Sequence, residues 1–317
     1  MVSLDLMVNK EPIFTWVSWG PLLFLMVLIC GSHAPLITLC KVNGKIPFNP
    51  SSCVILIELL KFLVSLVLLV IQDAQSLRKT VSRHHVAPYA VPAVLYAFNN
   101  NVMVYMQEQM DPSTFQILSN LKIASTAVLY SAFLQKRFTK VQWVALGLLM
   151  LAGACHSFSC TSRDKEGEAE EGMRLHLTAP GLLFLLVYCL VSGLAAVYTE
   201  VILKTQRLPL NLQNLFLYLF GIFINCGSYL VTGSNQSFFE GYSVWVVMIV
   251  ITQVWNGLLT SLVMKHSCNI TRLFVISCSM LVNAVLSVLL FDLQLTPLFF
   301  LTAALIAGAI CLYYYHK

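Results

Sequence analysis

Charge is scarce in this sequence: Asp, Glu, Lys and Arg together make up 10% of its 317 residues, where a soluble domain carries roughly a quarter. So thin a supply cannot clothe a water-facing surface, and an ordinary soluble enzyme or binding domain is excluded. The chain also lacks CxxC pairs, HExxH, GxSxG, phosphate-loop and paired-carboxylate motifs. No catalytic residue, metal or cofactor is therefore expected. The net charge of +5 is not gathered into a basic tract, so nucleic acid is not an expected partner. Of ten cysteines, Cys30, Cys53, Cys189, Cys226, Cys278 and Cys311 fall within apolar runs and read as small apolar filler rather than a disulfide framework.

What the chain has instead is apolar surface, 58% of its residues. The apolar residues cluster into runs of about 18 to 24, enough for a helix to cross a hydrocarbon core. Spans are expected near 17–39, 52–71, 86–107, 113–134, 141–158, 178–203, 211–232, 240–264, 270–291 and 296–315. The fold class is thus an all-α membrane protein with the lipid bilayer as its solvent. The first span lacks the short apolar region and small-residue cleavage site of a signal peptide and reads as an uncleaved anchor.

Loop charges orient the spans. With both ends on one side, that side holds Lys10, Arg78, Lys79, Arg83, Lys136, Arg137, Lys140, Lys204, Arg207, Lys265, Arg272 and Lys317. The other holds Lys41, Lys45, Arg163, Lys165 and Arg174. Positive residues favour the cytosol, so both termini are expected there. A polar loop at 159–177, rich in Glu, divides a five-helix half at 1–158 from one at 178–317 and is expected to be non-cytosolic. The Asn235-Gln236-Ser237 sequon also falls on that side.

The two halves share a faint repeat. A shift of 157 residues lays Asn99 on Asn256, Thr114 on Thr271, Ala127-Val128-Leu129 on Ala284-Val285-Leu286 and Thr139 on Thr296. Because each half has an odd number of spans, the second must enter the membrane inverted. Inverted repeats suit a carrier, whose midplane site opens alternately to either side.

Ionisable groups inside spans are expensive and mark function by default. Glu58 and Lys61 lie three apart on one helical face and can form an ion pair that holds helices together. Lys122 has no acid three or four residues away, so its anion is either a substrate phosphate or an acid on another helix, such as Glu58 or Glu200. Arg272, about a turn into its span, faces the same problem. Asn99, Asn100 and Asn101 form an amide triplet beside Tyr96, and Gln116, Tyr218, Ser261 and Asn256 add polar groups elsewhere. Such groups either glue helices or meet a polar ligand. Ala303, Ala304, Ala307 and Gly308 make a small-residue face on which a second copy could pack.

Tyr96-Ala97-Phe98-Asn99-Asn100-Asn101 followed by Phe115-Gln116-Ile117-Leu118-Ser119-Asn120-Leu121-Lys122-Ile123 resembles the paired motif of the nucleotide-sugar transporters, subfamily A of solute-carrier family 35. Glu58-Leu59-Leu60-Lys61, Gln213-Asn214 with Tyr218 and Gly221, and Asn269-Ile270-Thr271-Arg272 resemble that family's other signatures, in order. The resemblance implies a drug/metabolite transporter fold of two inverted five-helix repeats in the Golgi membrane. It implies antiport of a nucleotide-activated sugar or polyol against the nucleoside monophosphate, with CDP-ribitol ahead of a UDP-sugar as cargo. Lys122 matches the family's phosphate-contacting lysine, and Arg272 stands where relatives have another. Lys61, Tyr96, Asn100, Asn101, Gln116, Tyr218 and Ser261 are implied around the substrate. Phe115 and Phe220 replace a tyrosine and a serine of the CMP-sialic acid carrier, which weakens the match to that cargo. A non-transporting scaffold is the rival reading, with other Golgi carriers as its partners.

Overall fold

Lipid offers a backbone no hydrogen-bond partners, so apolar runs of this length must satisfy their own N–H and C=O groups as helices. A computed structural model of the chain describes residues 16–42, 46–78, 83–109, 112–164, 179–232, 237–291 and 296–315. Its long helices are α1 (Trp16–Cys40), α2 (Pro50–Arg78), α4 (Ala90–Gln109), α7 (Lys140–Asp164), α8 (Ala179–Thr205), α9 (Leu210–Thr232), α10 (Val244–His266), α11 (Asn269–Phe291) and α12 (Pro297–Tyr315). A short α3 (Arg83–Val86) and a 3-10 turn precede α4. The fourth expected span is α5 (Pro112–Leu118) and α6 (Lys122–Leu134), joined by a 3-10 turn over Ser119–Leu121. Asn235 and much of the polar loop lie outside the described residues.

Among the described residues, nine helical stretches are long and apolar enough to cross a membrane by length and composition. The third expected span, 86–107, now α4, falls short because Asn99–Asn101 and Gln107–Gln109 dilute its apolar content. It lies against α8 and α9, and Asn99 is buried there, so this amide faces protein. The outer surface of the bundle is apolar: Phe223, Leu230 and Leu289 are exposed, whereas Glu200, Gln213 and Thr302 are fully buried. That distribution suits a lipid solvent.

The interruption between α5 and α6 was not expected from the unbroken apolar run. Its cause is tertiary. The Asn120 amide donates to the Gln116 and Ile117 carbonyls, both at 3.1 Å, and to Ser157 Oγ on α7 at 3.3 Å. It thereby occupies carbonyls that the last turn of α5 leaves open. Gly153 on α7 makes room, since a Cβ there would lie 2.2 Å from Asn120 Oδ1.

Helix pairing has a regular pattern. α7 packs on α12 and α2 on α9; α1 packs on α10 and α11, α8 on α4 and α6; α10 meets α2 and α9 meets α4. Replacing each expected span by the one five places along turns α1–α11 into α8–α6, α1–α10 into α8–α4, and α2–α10 into α9–α4. The α7–α12 and α2–α9 pairs map onto themselves. The repeat-related Asn99 and Asn256 follow suit: Asn256 Oδ1 accepts the Cys30 thiol of α1 at 3.1 Å, and the Asn99 side chain meets the Tyr188 phenol of α8.

Candidate functional site

Helices α1, α2, α4, α8, α9, α10 and α11 enclose a cavity of about 490 Å³, within the range of small-molecule sites. It reaches the α1–α2 connection, where Ile46, Phe48 and Pro50 border it, and takes in Arg272 of α11. Glu58, Lys61, Tyr96, Tyr218 and Ser261 also line it.

Its side chains are held by specific contacts. Lys61 Nζ lies 2.5 Å from Glu58 Oε1, one turn back on α2, and 4.5 Å from the centre of the Tyr218 ring. An ammonium desolvated in this way is compensated by both the carboxylate and the ring's electron-rich face. The Tyr218 phenol and Ser261 Oγ are 3.3 Å apart, and Ser261 donates to the Gly257 carbonyl at 3.2 Å, so the phenol is the donor to Ser261. Glycine allows a close approach at two positions. A Cβ at Gly257 would fall 2.6 Å from Lys61 Cδ, and one at Gly221 would fall 3.0 Å from Glu58 Oε2.

Arg272 occupies the first turn of α11, and Lys122 begins α6 just beyond the interruption. The Arg272 charge reaches Lys122. Among the described residues the ion pairs are Glu58–Lys61 and Glu200–Lys204, and neither Lys122 nor Arg272 belongs to one. Both acids proposed as rival partners for Lys122 are therefore committed elsewhere. Glu200, fully buried, accepts from Lys204 at 2.6 Å, from the Tyr130 phenol at 3.3 Å and from the Asn269 backbone N–H at 2.7 Å. A carboxylate on the first N–H of α11 also offsets the positive end of that helix.

Around Glu200 the bundle is cinched. Lys204 also donates to the Ser267 carbonyl, and Lys265 donates to the Leu208 carbonyl at 2.9 Å. Thr271 meets the Tyr314 phenol at 3.2 Å. These contacts join α6, α8, α10, α11 and α12 at the end of the molecule away from the α1–α2 connection.

Of the expected site residues, Lys61, Tyr96, Tyr218, Ser261 and Arg272 come together on the cavity. Lys122 is not on its lining, although it is electrostatically coupled to Arg272, which is. Gln116 is exposed and off the cavity, its carbonyl taken by Asn120. The side chains of Asn100 and Asn101 lie outside the described residues. Phe115 is buried edge-on against Tyr188, 5.4 Å between centres, rather than on the cavity. Sequence reasoning missed His33 and Gln253, both on the cavity wall. Each was findable as a polar residue within an otherwise apolar span.

A helical bundle with an apolar exterior and an internal cavity whose largely apolar wall carries Glu58, Lys61 and Arg272 defines a multi-pass membrane protein. The family model described as "Nucleotide-sugar transporter" matches residues 22–314. The chain is 58% identical over 296 residues to "Probable UDP-sugar transporter protein SLC35A4" of Xenopus tropicalis, covering 93% of this chain and 92% of that one. It is 48% identical over 303 residues to the Homo sapiens protein of the same name, covering 93% and 94%. A solved structure described only as "Crystal structure of protein" superposes with a TM-score of 0.71 at 10% identity, over 95% of this chain and 99% of that one, a likeness of fold alone. The chain belongs to the nucleotide-sugar transporter family, whose members are carriers and not enzymes.

Proposed function

We propose that this protein exchanges a nucleotide-activated sugar or polyol for the corresponding nucleoside monophosphate across the Golgi membrane. CDP-ribitol is the favoured cargo and UDP-sugars come next. The names of the relatives point to UDP-sugars for those proteins, and the motif resemblance points to CDP-ribitol; both cargoes join a pyrimidine nucleotide to a polyhydroxyl group.

The observation that carries this reading is the pair of cations Lys122 and Arg272, set within the bundle while Glu58 and Glu200 serve other partners. Two such charges favour a phosphate ligand. Arginine's planar fork can take phosphate oxygens bidentately, where a lysine acts as a point charge. With phosphate bound the charges are compensated and the carrier can change conformation; empty, it pays to occlude them. A ligand drives the switch only by binding the occluded state better than the open ones, which favours exchange over leak.

The architecture in this proposal is two inverted five-helix halves of the drug/metabolite transporter type, at 1–158 and 178–317. The pairing of helices five spans apart supports it, as does the residue repeat of Asn99 with Asn256. Both termini are cytosolic on the loop-charge bias. The contacts around Glu200 then close the cytosolic end, and the cavity faces the lumenal side.

Proteoliposomes preloaded with CMP or UMP test the proposal. Uptake of labelled CDP-ribitol or a UDP-sugar, accelerated by the internal monophosphate and lost in Lys122→Ala, is the expected result. No uptake of any nucleotide conjugate overturns it.

A further inference from the structure

A chain of directional hydrogen bonds runs along the α1–α10 wall of the cavity. The Cys30 thiol donates to Asn256 Oδ1 at 3.1 Å, Asn256 Nδ2 donates to Gln253 Oε1 at 3.3 Å, and Gln253 Nε2 lies 2.7 Å from His33 Nδ1. An amide NH₂ can only donate, so His33 Nδ1 must accept and the imidazole carries its hydrogen on Nε2. Each amide oxygen in the chain is already engaged. The hydrogens left over are one on each amide and the Nε2–H of His33, all on half-buried residues that line the cavity.

The chain also has a direction in space. Cys30 sits within the electrostatic reach of Arg272. From there, Cys30 to His33 on α1 and Asn256 to Gln253 on α10 each advance three residues, about 5 Å along a helix. The donor wall thus leads away from the cation and toward the α1–α2 connection.

We propose that His33, Gln253 and Asn256 form the subsite for the hydroxyl-bearing sugar or polyol end of the substrate, reading its oxygens as hydrogen-bond acceptors. This rests on the nucleotide-conjugate reading above. A substrate whose phosphate is held at Arg272 extends its pendant group along this wall, while Tyr96 and Tyr218 on α4 and α9 offer aromatic faces elsewhere in the cavity. A site built to hydrogen-bond hydroxyls discriminates strongly, because an unmatched ligand leaves its polar groups unpaired.

The test is the ratio of two dissociation constants on the purified full chain, for a nucleotide conjugate (CDP-ribitol or a UDP-sugar) and for its nucleoside monophosphate. His33→Phe keeps a planar ring, Gln253→Met keeps nearly the same length, and both remove the donors. Each raises the conjugate-to-monophosphate ratio by about tenfold or more, the size of one or two lost hydrogen bonds. His33→Gln, which can still accept from Gln253 and donate to a ligand, restores part of it. Equal weakening of both ligands, or no change in the ratio, overturns the subsite and leaves a wall that only joins α1 to α10. Wild-type protein that binds neither ligand overturns the nucleotide-conjugate reading itself, and this subsite with it.

Discussion

Glu200 Oε2 accepts the backbone N–H of Asn269 at 2.7 Å, so a buried carboxylate near the end of α8 fixes the start of α11, three residues before Arg272. The same carboxylate takes Tyr130 of α6 and Lys204. One side chain therefore ties together the helices that carry Lys122 and Arg272.

Glu200→Ala leaves the Tyr130 hydroxyl and the Asn269 N–H without their acceptor, each a loss of about 1–3 kcal/mol. Thermal unfolding in detergent is expected to fall by several degrees. Glu200→Gln, which keeps an acceptor oxygen and nearly the same volume, loses less. Wild-type stability in Glu200→Ala contradicts this role.

Lys61 and Gly257 form a steric pair, because a Cβ at position 257 collides with the lysine stem. Gly257→Ala is expected to displace the ammonium from Glu58 and Tyr218 and to lower exchange about tenfold or more. Shortening the stem removes the clash, so Gly257→Ala costs little further activity in a Lys61→Ala background. A double-mutant cycle with no coupling between the two positions refutes it.

Tyr218 contributes in two separable ways. Tyr218→Phe keeps the ring against Lys61 and loses only the bond to Ser261, about 1 kcal/mol. Tyr218→Leu also removes the cation–π contact, about 0.5–2 kcal/mol more. Ligand titration should rank wild type, Phe, then Leu; Phe and Leu of equal affinity shows that the ring face adds nothing.

Asn120→Leu strips the donors from the open carbonyls of Gln116 and Ile117 and from Ser157, and is expected to destabilise by about 1–3 kcal/mol. Gly153→Ala does the same from the other side, by pushing into Asn120. Hydrogen exchange around 116–122 rises in both. Unaltered protection there means that the interruption of the span does not depend on this amide.

Nine of the ten expected spans were legible because lipid leaves a chain so few options: scarce charges and runs of about 20 apolar residues dictate helices, although α2 and α7 run on past the expected ends at 71 and 158 to Arg78 and Asp164. The interruption at Ser119–Leu121 was not, since 113–134 contains no Pro or Gly after Pro112 and its cause lies on α7. Lys61, Tyr96, Tyr218, Ser261 and Arg272 were named from motif and cost, and the fold brings them to one cavity. Glu200 was read as a rival partner for Lys122, although Lys204 stands at the i+4 position that claims it. His33 and Gln253 escaped notice because the contact that joins them spans 220 positions of the chain.

The account turns on whether Lys122 and Arg272 hold phosphate. The most direct measurement is the affinity of purified protein for a pyrimidine nucleoside monophosphate relative to the uncharged nucleoside, in wild type, Lys122→Gln and Arg272→Gln. Charge-assisted hydrogen bonds contribute about 1.5–3 kcal/mol each, so each substitution should cut the preference for the monophosphate by about tenfold or more while the nucleoside binds as before. A preference for phosphate that survives both substitutions contradicts the account.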